Sequence, residues 1–197
     1  TGETSCVNCP GGKFTPTTSI HNSKCKSCDV GQYQPDDEKT SCKACDAGTY
    51  ADEREMQVCK DCEAGRYNNA AKQTDCVDCA KGRFQVAMGM TLCLQCEKGF
   101  VQPDAGKAAC NKCNKGTYAP SKGLTHCTEC EVGKYQPLQA KHLCIDCLLG
   151  EYQPTAGQSA CIVCTEGRYQ DVRGQSKCSK CAAGRFRNSA DASSAET

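Results

Sequence analysis

Residues 130–147 read Cys-Glu-Val-Gly-Lys-Tyr-Gln-Pro-Leu-Gln-Ala-Lys-His-Leu-Cys-Ile-Asp-Cys, and variants of this stretch fill almost the whole chain. The 22 cysteines form eleven Cys-x-x-Cys pairs, and from the second pair onward each begins at the same interval after the one before, at Cys25, Cys42, Cys59 and so on to Cys178. Glycine stands six places after the first cysteine of every pair, and an aromatic residue stands eight places after it in all pairs but one. A fixed period of this kind is typical of a repeat protein.

The chain holds too few large apolar residues for an ordinary core. Leu, Ile, Val and Phe make up 23 of its 197 residues, a fraction typical of chains that cannot bury enough apolar surface to fold. A disulfide that closes a loop of about 15 residues contributes roughly 3 kcal/mol in the chain-entropy model, so a series of bridges can replace that core. Because disulfides persist in oxidising surroundings, we expect a secreted protein, extracellular or at the cell surface.

Three chemistries are open to the cysteines. Four-thiolate zinc sites would use the pairs two at a time, which leaves one of eleven pairs over and should give a period twice as long as the one in the sequence. Redox catalysis needs one pair in a tuned environment rather than eleven equivalent pairs. We therefore expect disulfides, with no metal and no cofactor, although spacing alone leaves the pairing open.

Other chemistry finds little support in the sequence. The histidines His21, His126 and His142 belong to no catalytic motif, so we expect no enzyme and no catalytic residues. The 24 Lys and Arg balance 23 Asp and Glu, which disfavours nucleic acid as a partner. Basic residues beside the aromatic, such as Arg66, leave a platform for single-stranded nucleic acid as an alternative; we favour a packed ring next to a solvated charge. No stretch approaches the roughly 20 apolar residues that span a bilayer.

The period also predicts the fold. Each repeat reads as a short strand through Gly-x-Tyr, a turn, and a second short strand that enters the next Cys-x-x-Cys pair. We predict a small disulfide-rich all-β fold, an elongated solenoid or rod of eleven 17-residue hairpin repeats. Residues 6–187 form the array, residues 1–5 lead into it, and residues 188–197 read as a flexible tail or linker of a mature or excised segment. Phe100-Val101 replaces the usual aromatic, which predicts irregular packing in that repeat.

The run from Cys130 through Gly133 and Tyr135 to Cys144 and Cys147 resembles the cysteine-rich repeats of tumour necrosis factor receptors and the ephrin-receptor-like repeats of surface proteins. In those receptor modules, the cysteine before Gly-x-Tyr bonds the cysteine that opens the following pair. The resemblance therefore implies the bridges Cys28–Cys42, Cys45–Cys59, Cys62–Cys76, Cys79–Cys93, Cys96–Cys110, Cys113–Cys127, Cys130–Cys144, Cys147–Cys161 and Cys164–Cys178, with Cys9–Cys25 as a longer first loop.

Cys6 and Cys181 are left over by this scheme and are candidates for an intermolecular bridge. At the interval that separates the other partners, Cys181 would need a cysteine where the chain has Ala195. If Cys181 of one molecule bonds Cys6 of the next, the contact does not close and a filament results. A fragment of a longer polypeptide, free thiols at frayed ends and local rearrangement at the ends are the alternatives.

These features favour an extracellular structural rod, the repeating unit of a filament, matrix or cell-surface appendage. The receptors that the chain resembles mix this module with others, whereas this chain repeats a single one. A receptor or adhesin ectodomain that binds a protein ligand is the alternative. Partners are other copies, bound head to tail or laterally, or other surface and matrix proteins, and Ser and Thr near the turns leave O-glycans open. Two apolar runs, 86–92 and 143–149, could bind a ligand; we attribute them to packing between units or between neighbouring rods.

Overall fold

The computed structural model describes residues 8–17 and 24–185. Its backbone contacts divide the chain into two compact units. Unit 1 comprises Thr1–Leu94 with Ala105–Ala109, and unit 2 comprises Gln95–Asp104 with Cys110–Thr197. Over the described residues the secondary structure consists of strands and turns, with no helix.

The strands are two residues long and fall at the same two places in each repeat, before the turn and between the two cysteines of the next pair. They are β1 Lys13–Phe14, β2 Lys26–Ser27, β3 Gln32–Tyr33, β4 Lys43–Ala44, β5 Thr49–Tyr50, β6 Lys60–Asp61, β7 Arg66–Tyr67, β8 Val77–Asp78, β9 Arg83–Phe84, β10 Leu94–Gln95, β11 Phe100–Val101, β12 Asn111–Lys112, β13 Thr117–Tyr118, β14 Thr128–Glu129, β15 Lys134–Tyr135, β16 Ile145–Asp146, β17 Glu151–Tyr152, β18 Ile162–Val163, β19 Arg168–Tyr169 and β20 Ser179–Lys180.

Consecutive strands form antiparallel hairpins in one register. In unit 1, β1 pairs with β2, β3 with β4, β5 with β6 and β7 with β8. In unit 2, β11 pairs with β12, and the same holds for each following pair up to β19 and β20. In these hairpins the aromatic residue of one repeat faces the residue that follows the first cysteine of the next pair, as Tyr135 faces Ile145. The hairpins predicted from the period are therefore confirmed.

The repeat that lacks the usual aromatic keeps the same backbone. Val101 faces Asn111, as the aromatic residue does in the other hairpins, and Val101 is buried. It belongs to a small apolar cluster with Cys113 and Ala119, against which Leu124 and Cys127 pack. The strand register is therefore regular in this repeat, while its side chains pack differently from those of the other repeats, because a buried β-branched residue with apolar neighbours stands where the other repeats have a half-buried ring.

Half-cystines supply most of the core. The second cysteine of each pair is fully buried from Cys28 to Cys147, whereas large aliphatic residues are mostly exposed. A covalent series of disulfides, here called the sulfur ladder, thus replaces an apolar core, as the composition predicts. The fold is a small disulfide-rich all-β array of hairpins. The elongated rod and the count of eleven repeats stay predictions, since the first and last repeats include residues outside the described ranges.

Candidate functional site

Ten disulfides connect successive repeats. Each joins the second cysteine of one pair to the first cysteine of the next pair, with Cα atoms 5.5 to 5.9 Å apart. They are Cys9–Cys25, Cys28–Cys42, Cys45–Cys59, Cys62–Cys76, Cys79–Cys93, Cys96–Cys110, Cys113–Cys127, Cys130–Cys144, Cys147–Cys161 and Cys164–Cys178. The structure thus contains the pairs that the receptor resemblance implies.

Cys181 and Cys6 are the two cysteines that the receptor resemblance leaves without a partner. Cys181 is an unpaired, half-buried thiol. Its amide donates to the carbonyl of Gly167 at 3.0 Å, which is the bond that the bridged second cysteines make in earlier repeats. Cys6 lies outside the described residues. The intermolecular bridge between them therefore stays a prediction.

Four backbone hydrogen bonds also join each repeat to the next, and they recur along both units. They involve the glycine, the residue after the aromatic, the second cysteine and the turn. Between the repeats that begin at Cys110 and Cys127 they are Cys130 N to Gly116 O (2.9 Å), Gly116 N to Gln136 O (2.8 Å), Ala119 N to Lys141 O (3.1 Å) and Ala140 N to Cys113 O (2.8 Å). Successive repeats are thus held by main-chain bonds as well as by sulfur.

In seven repeats the recurring glycine lies against the second repeat after its own. Gly116 has a φ of 79°, and a Cβ built on it would lie 1.9 Å from the carbonyl oxygen of Gly157. The same contact joins Gly48 to Gly89, with a Cβ at 2.1 Å from the oxygen. The neighbour that leaves no room for a side chain is thus a backbone carbonyl two repeats further on. Glycine is required for both its φ and its missing side chain.

That carbonyl belongs to a turn residue with positive φ, thirteen positions after the first cysteine. Five repeats place glycine there, and those glycines are Gly89, Gly106, Gly123, Gly157 and Gly174. Four others adopt the same conformation without glycine: Glu38, Glu55, Lys72 and Ala140, with φ from 58° to 63°. These four were not predictable from the sequence, because nothing in their side chains indicates a left-handed conformation.

A buried amide follows the aromatic in most repeats. Gln153 is 4 % exposed, donates from Nε2 to the carbonyl of Ala160 (2.6 Å) and accepts at Oε1 from the amide of Thr155 (3.1 Å). Both halves of its amide are therefore satisfied inside its own turn. The buried members of this position are Gln34, Asn68, Gln85, Gln102, Gln136, Gln153 and Gln170. Their recurrence one residue after the aromatic position is the signal in the sequence that could have revealed them.

Surface ion pairs lie across the hairpins. Arg66 contacts Asp75 at 3.2 Å and Asp78 at 3.0 Å. The pKa of Asp75 lies below its usual value, first because the Cys76 amide donates to its carboxylate and then because Arg66 does. All three side chains are at least partly solvated, so this network contributes little to stability. These ion pairs are surface contacts and do not form a catalytic site.

The residue opposite the aromatic differs from hairpin to hairpin. In unit 1 the residues opposite Phe14, Tyr33 and Tyr50 are Lys26, Lys43 and Lys60, whereas the residue opposite Tyr67 is Val77, which is 58 % exposed. In unit 2 the residues opposite Tyr135 and Tyr152 are Ile145 and Ile162, which are 44 % and 45 % exposed. Both apolar runs found in the sequence are also exposed, including Val86, Met88, Leu143 and Leu148. Packing between repeats therefore does not bury them.

The described part of the chain contains no candidate metal site and no candidate membrane-spanning helix. Over residues 8–17 and 24–185 no three His, Cys, Asp or Glu residues come together in a way that could hold a metal ion. Within the same ranges no helix is long and apolar enough to cross a membrane.

The fold and bridges define a disulfide-linked all-β repeat protein. The family model described as "Tyrosine-protein kinase ephrin type A/B receptor-like" matches residues 17–55, 48–92, 116–157, 139–167 and 150–197. These matches cover most of the chain, which therefore belongs to this family of cysteine-rich, receptor-like repeats, a kind that is typically non-enzymatic. No curated protein matches the chain. The family and the ten disulfides point to an extracellular or secreted protein that is a receptor-like or structural module.

Proposed function

We propose that this chain is a structural rod outside the cell, the repeating unit of a filament, matrix or cell-surface appendage. The observation that carries the proposal is that the recurring cysteines, glycine and glutamine each hold a neighbouring repeat or their own turn. The cysteines bridge to the next repeat, the glycine contacts the second repeat on, and the glutamine fixes its own turn. An array whose recurring residues connect adjacent repeats in this way resists bending, which suits a spacer.

Head-to-tail linkage through Cys181 and Cys6 is the finer part of this proposal. Cys181 occupies the backbone position of a bridged second cysteine, and Ala195 stands where its partner in the chain would be. Its thiol is half-buried, so part of its surface is open to a partner. A cysteine supplied by another molecule would extend the sulfur ladder across the junction.

Electron microscopy of the native material tests the structural role. Filaments with an axial period that matches one chain support the proposal, and isolated monomers contradict it. Electrophoresis without reductant tests the covalent junction separately. A ladder of multimers that collapses on reduction, and is absent from the Cys181→Ser variant, is the expected result; a sharp monomer band from native material would exclude the covalent polymer.

A receptor or adhesin ectodomain that binds a protein ligand is the second candidate. The exposed apolar residues of the hairpins β15–β16 and β17–β18 favour it, because large exposed apolar patches often bind proteins. The family described as ephrin type A/B receptor-like points the same way. Isolated monomers in the micrographs, together with capture of a specific surface protein that these hairpins contact, would favour this candidate over the rod.

A further inference from the structure

Two of the left-handed turn residues are glutamates, and they differ in their ion pairs. Glu38 and Glu55 have φ values of 59° and 63° at the turn position where five other repeats place glycine. This conformation disfavours a residue with a side chain. Glu55 forms an ion pair with Lys13 at 3.3 Å and accepts a hydrogen bond from the hydroxyl of Ser27. Glu38 accepts the corresponding bond from the side-chain amide of Asn8, but within residues 8–17 and 24–185 it forms no ion pair.

The repeat geometry shows from where a base could reach Glu38. Lys13 directly follows the recurring glycine Gly12, and a Cβ built on Gly12 would lie 2.1 Å from the carbonyl oxygen of Glu55. The turn residue Glu55 therefore meets the glycine through its carbonyl and the neighbouring base through its carboxylate. By the same geometry, the glycine and the base that match Glu38 belong to a repeat that precedes the pair Cys6 and Cys9.

Gly184 and Arg185 have the right sequence and the right position in their repeat for this contact. Gly184 has a φ of 81°, and a Cβ built on it would meet no atom of the described residues within 4 Å. Arg185 is exposed and forms no ion pair with any described residue. The two residues thus correspond to Gly12 and Lys13, with the contacts of both still open.

The charges around these two sites are complementary. Residues 29–38 include four acids and no base, whereas residues 172–185 include four bases and no acid. All eight charged side chains are exposed. Each segment repels its own kind and attracts the other, so the charges favour a contact between unlike ends of two copies.

We propose that Gly184 and Arg185 of one copy dock on Glu38 of the next copy. Gly184 receives the carbonyl of Glu38, and Arg185 pairs with its carboxylate. This inference rests on the proposed head-to-tail linkage and adds the non-covalent contact that brings Cys181 near Cys6. The contact joins two different surfaces, so it does not close and recurs from copy to copy. Its ion pair is exposed, so the association weakens as salt is added.

The test is sedimentation velocity of the full chain with Cys6→Ser and Cys181→Ser, which removes the covalent linkage. At low salt we expect the average mass to rise with concentration beyond that of a dimer, and to fall when salt is added. Glu38→Lys should weaken assembly at least about fivefold, because a lysine would then face Arg185. It should still fold, since Lys72 occupies the same turn position with a φ of 63°. Lys72→Glu is the matched control and should assemble like the parent.

A mixing experiment separates a direct contact from an indirect effect. Arg185→Glu should also assemble poorly alone, and it should fold, because Glu151 occupies the same position in β17. A mixture of the Arg185→Glu chain with the Glu38→Lys chain should assemble like the parent, because every junction between unlike chains joins opposite charges.

Gly184→Ala tests the close approach of the backbone without a change of charge. A Cβ at this position would clash with the Glu38 carbonyl of the next copy, so the variant should not assemble. Its free energy of unfolding should fall by no more than that of Gly167→Ala, since neither Cβ meets a described residue of its own chain.

Three results would overturn the proposal: a parent that stays monomeric at every concentration in low salt, a mixture that does not assemble, or Glu38→Lys and Gly184→Ala variants that assemble like the parent. If the native chain still forms disulfide-linked filaments, any of these results rejects this contact and leaves the structural role intact. Monomers in micrographs of the native material would instead reject the structural role itself.

Discussion

The recurring glycine has no side chain, and this leaves room for the backbone of a neighbouring repeat. At Gly116 the φ is 79° and a Cβ would meet the Gly157 carbonyl. At Gly167 the φ is similar, 70°, but a Cβ would meet no atom of the described residues within 4 Å. These two positions share a backbone conformation and differ in their neighbours, so together they separate the two reasons for glycine.

Substitution of these glycines should therefore have unequal effects. Gly167→Ala should lower the free energy of unfolding by about 1 to 2 kcal/mol, the ordinary penalty for a left-handed alanine. Gly116→Ala adds a clash with backbone that cannot be relieved by a rotamer change, and should lower it by more than about 4 kcal/mol or prevent oxidative folding. Denaturant titration with the disulfides intact measures both. Equal losses would mean that contact between alternate repeats contributes nothing.

Ala140 offers the reverse change. It has a φ of 58° in a turn where five other repeats use glycine. Ala140→Gly should raise the free energy of unfolding by about 1 kcal/mol, because relief of the left-handed strain exceeds the added freedom of the unfolded chain. Gly157→Ala, in the next repeat, should lower it by a similar amount. If Ala140→Gly destabilises the protein, the turn assigned to this residue is wrong.

At the scale of the hairpin, the buried glutamine fixes the turn between two strands. Gln153→Ala should remain folded, since Ala51 and Ala119 fill this position in other repeats with no exposed surface. It should lower the free energy of unfolding by about 2 kcal/mol, because the Ala160 carbonyl and the Thr155 amide lose their partner. Thermal denaturation measures the loss. Gln158→Ala is the matched control at an exposed glutamine and should change stability little; equal losses from both variants would contradict the role.

Gln153→Glu makes the same claim testable by pH. A buried carboxylate cannot donate to the Ala160 carbonyl, whereas the protonated acid can. The pKa of this Glu in the folded state should therefore lie above its unfolded value of about 4.3. The variant should approach the stability of the parent below that value and lose stability as the pH rises through the folded pKa. Denaturant titrations at acid and neutral pH measure the difference, and a variant equally stable relative to the parent at both pH values would contradict burial.

Much of the hairpin was predictable from the sequence, because its determinants are local and recur. The strand on either side of the turn followed from the Gly-x-Tyr pattern and the Cys-x-x-Cys spacing. The positive φ of Glu38 and Lys72 was not predictable, since contacts with neighbouring repeats impose it on residues that disfavour it. The contact between Gly116 and Gly157 was also not predictable, because the period of a sequence does not show which repeats contact one another.

At the scale of the whole molecule, sulfur bridges and main-chain bonds between repeats replace an apolar core. Most of the large aliphatic side chains are left at the surface. A structural role follows from this arrangement as a proposal, and the ephrin-receptor-like family keeps protein binding as its rival. Both require the bridges to join successive repeats.

Peptide mapping of the native protein, alkylated before any reduction, tests that requirement most directly. We expect linked peptides that join Cys28 to Cys42, Cys45 to Cys59 and so on through Cys164 to Cys178, with alkylation confined to cysteines outside the ten bridges. Bridges within a Cys-x-x-Cys pair, alkylated cysteines throughout the array, or bound zinc that protects them would contradict the account.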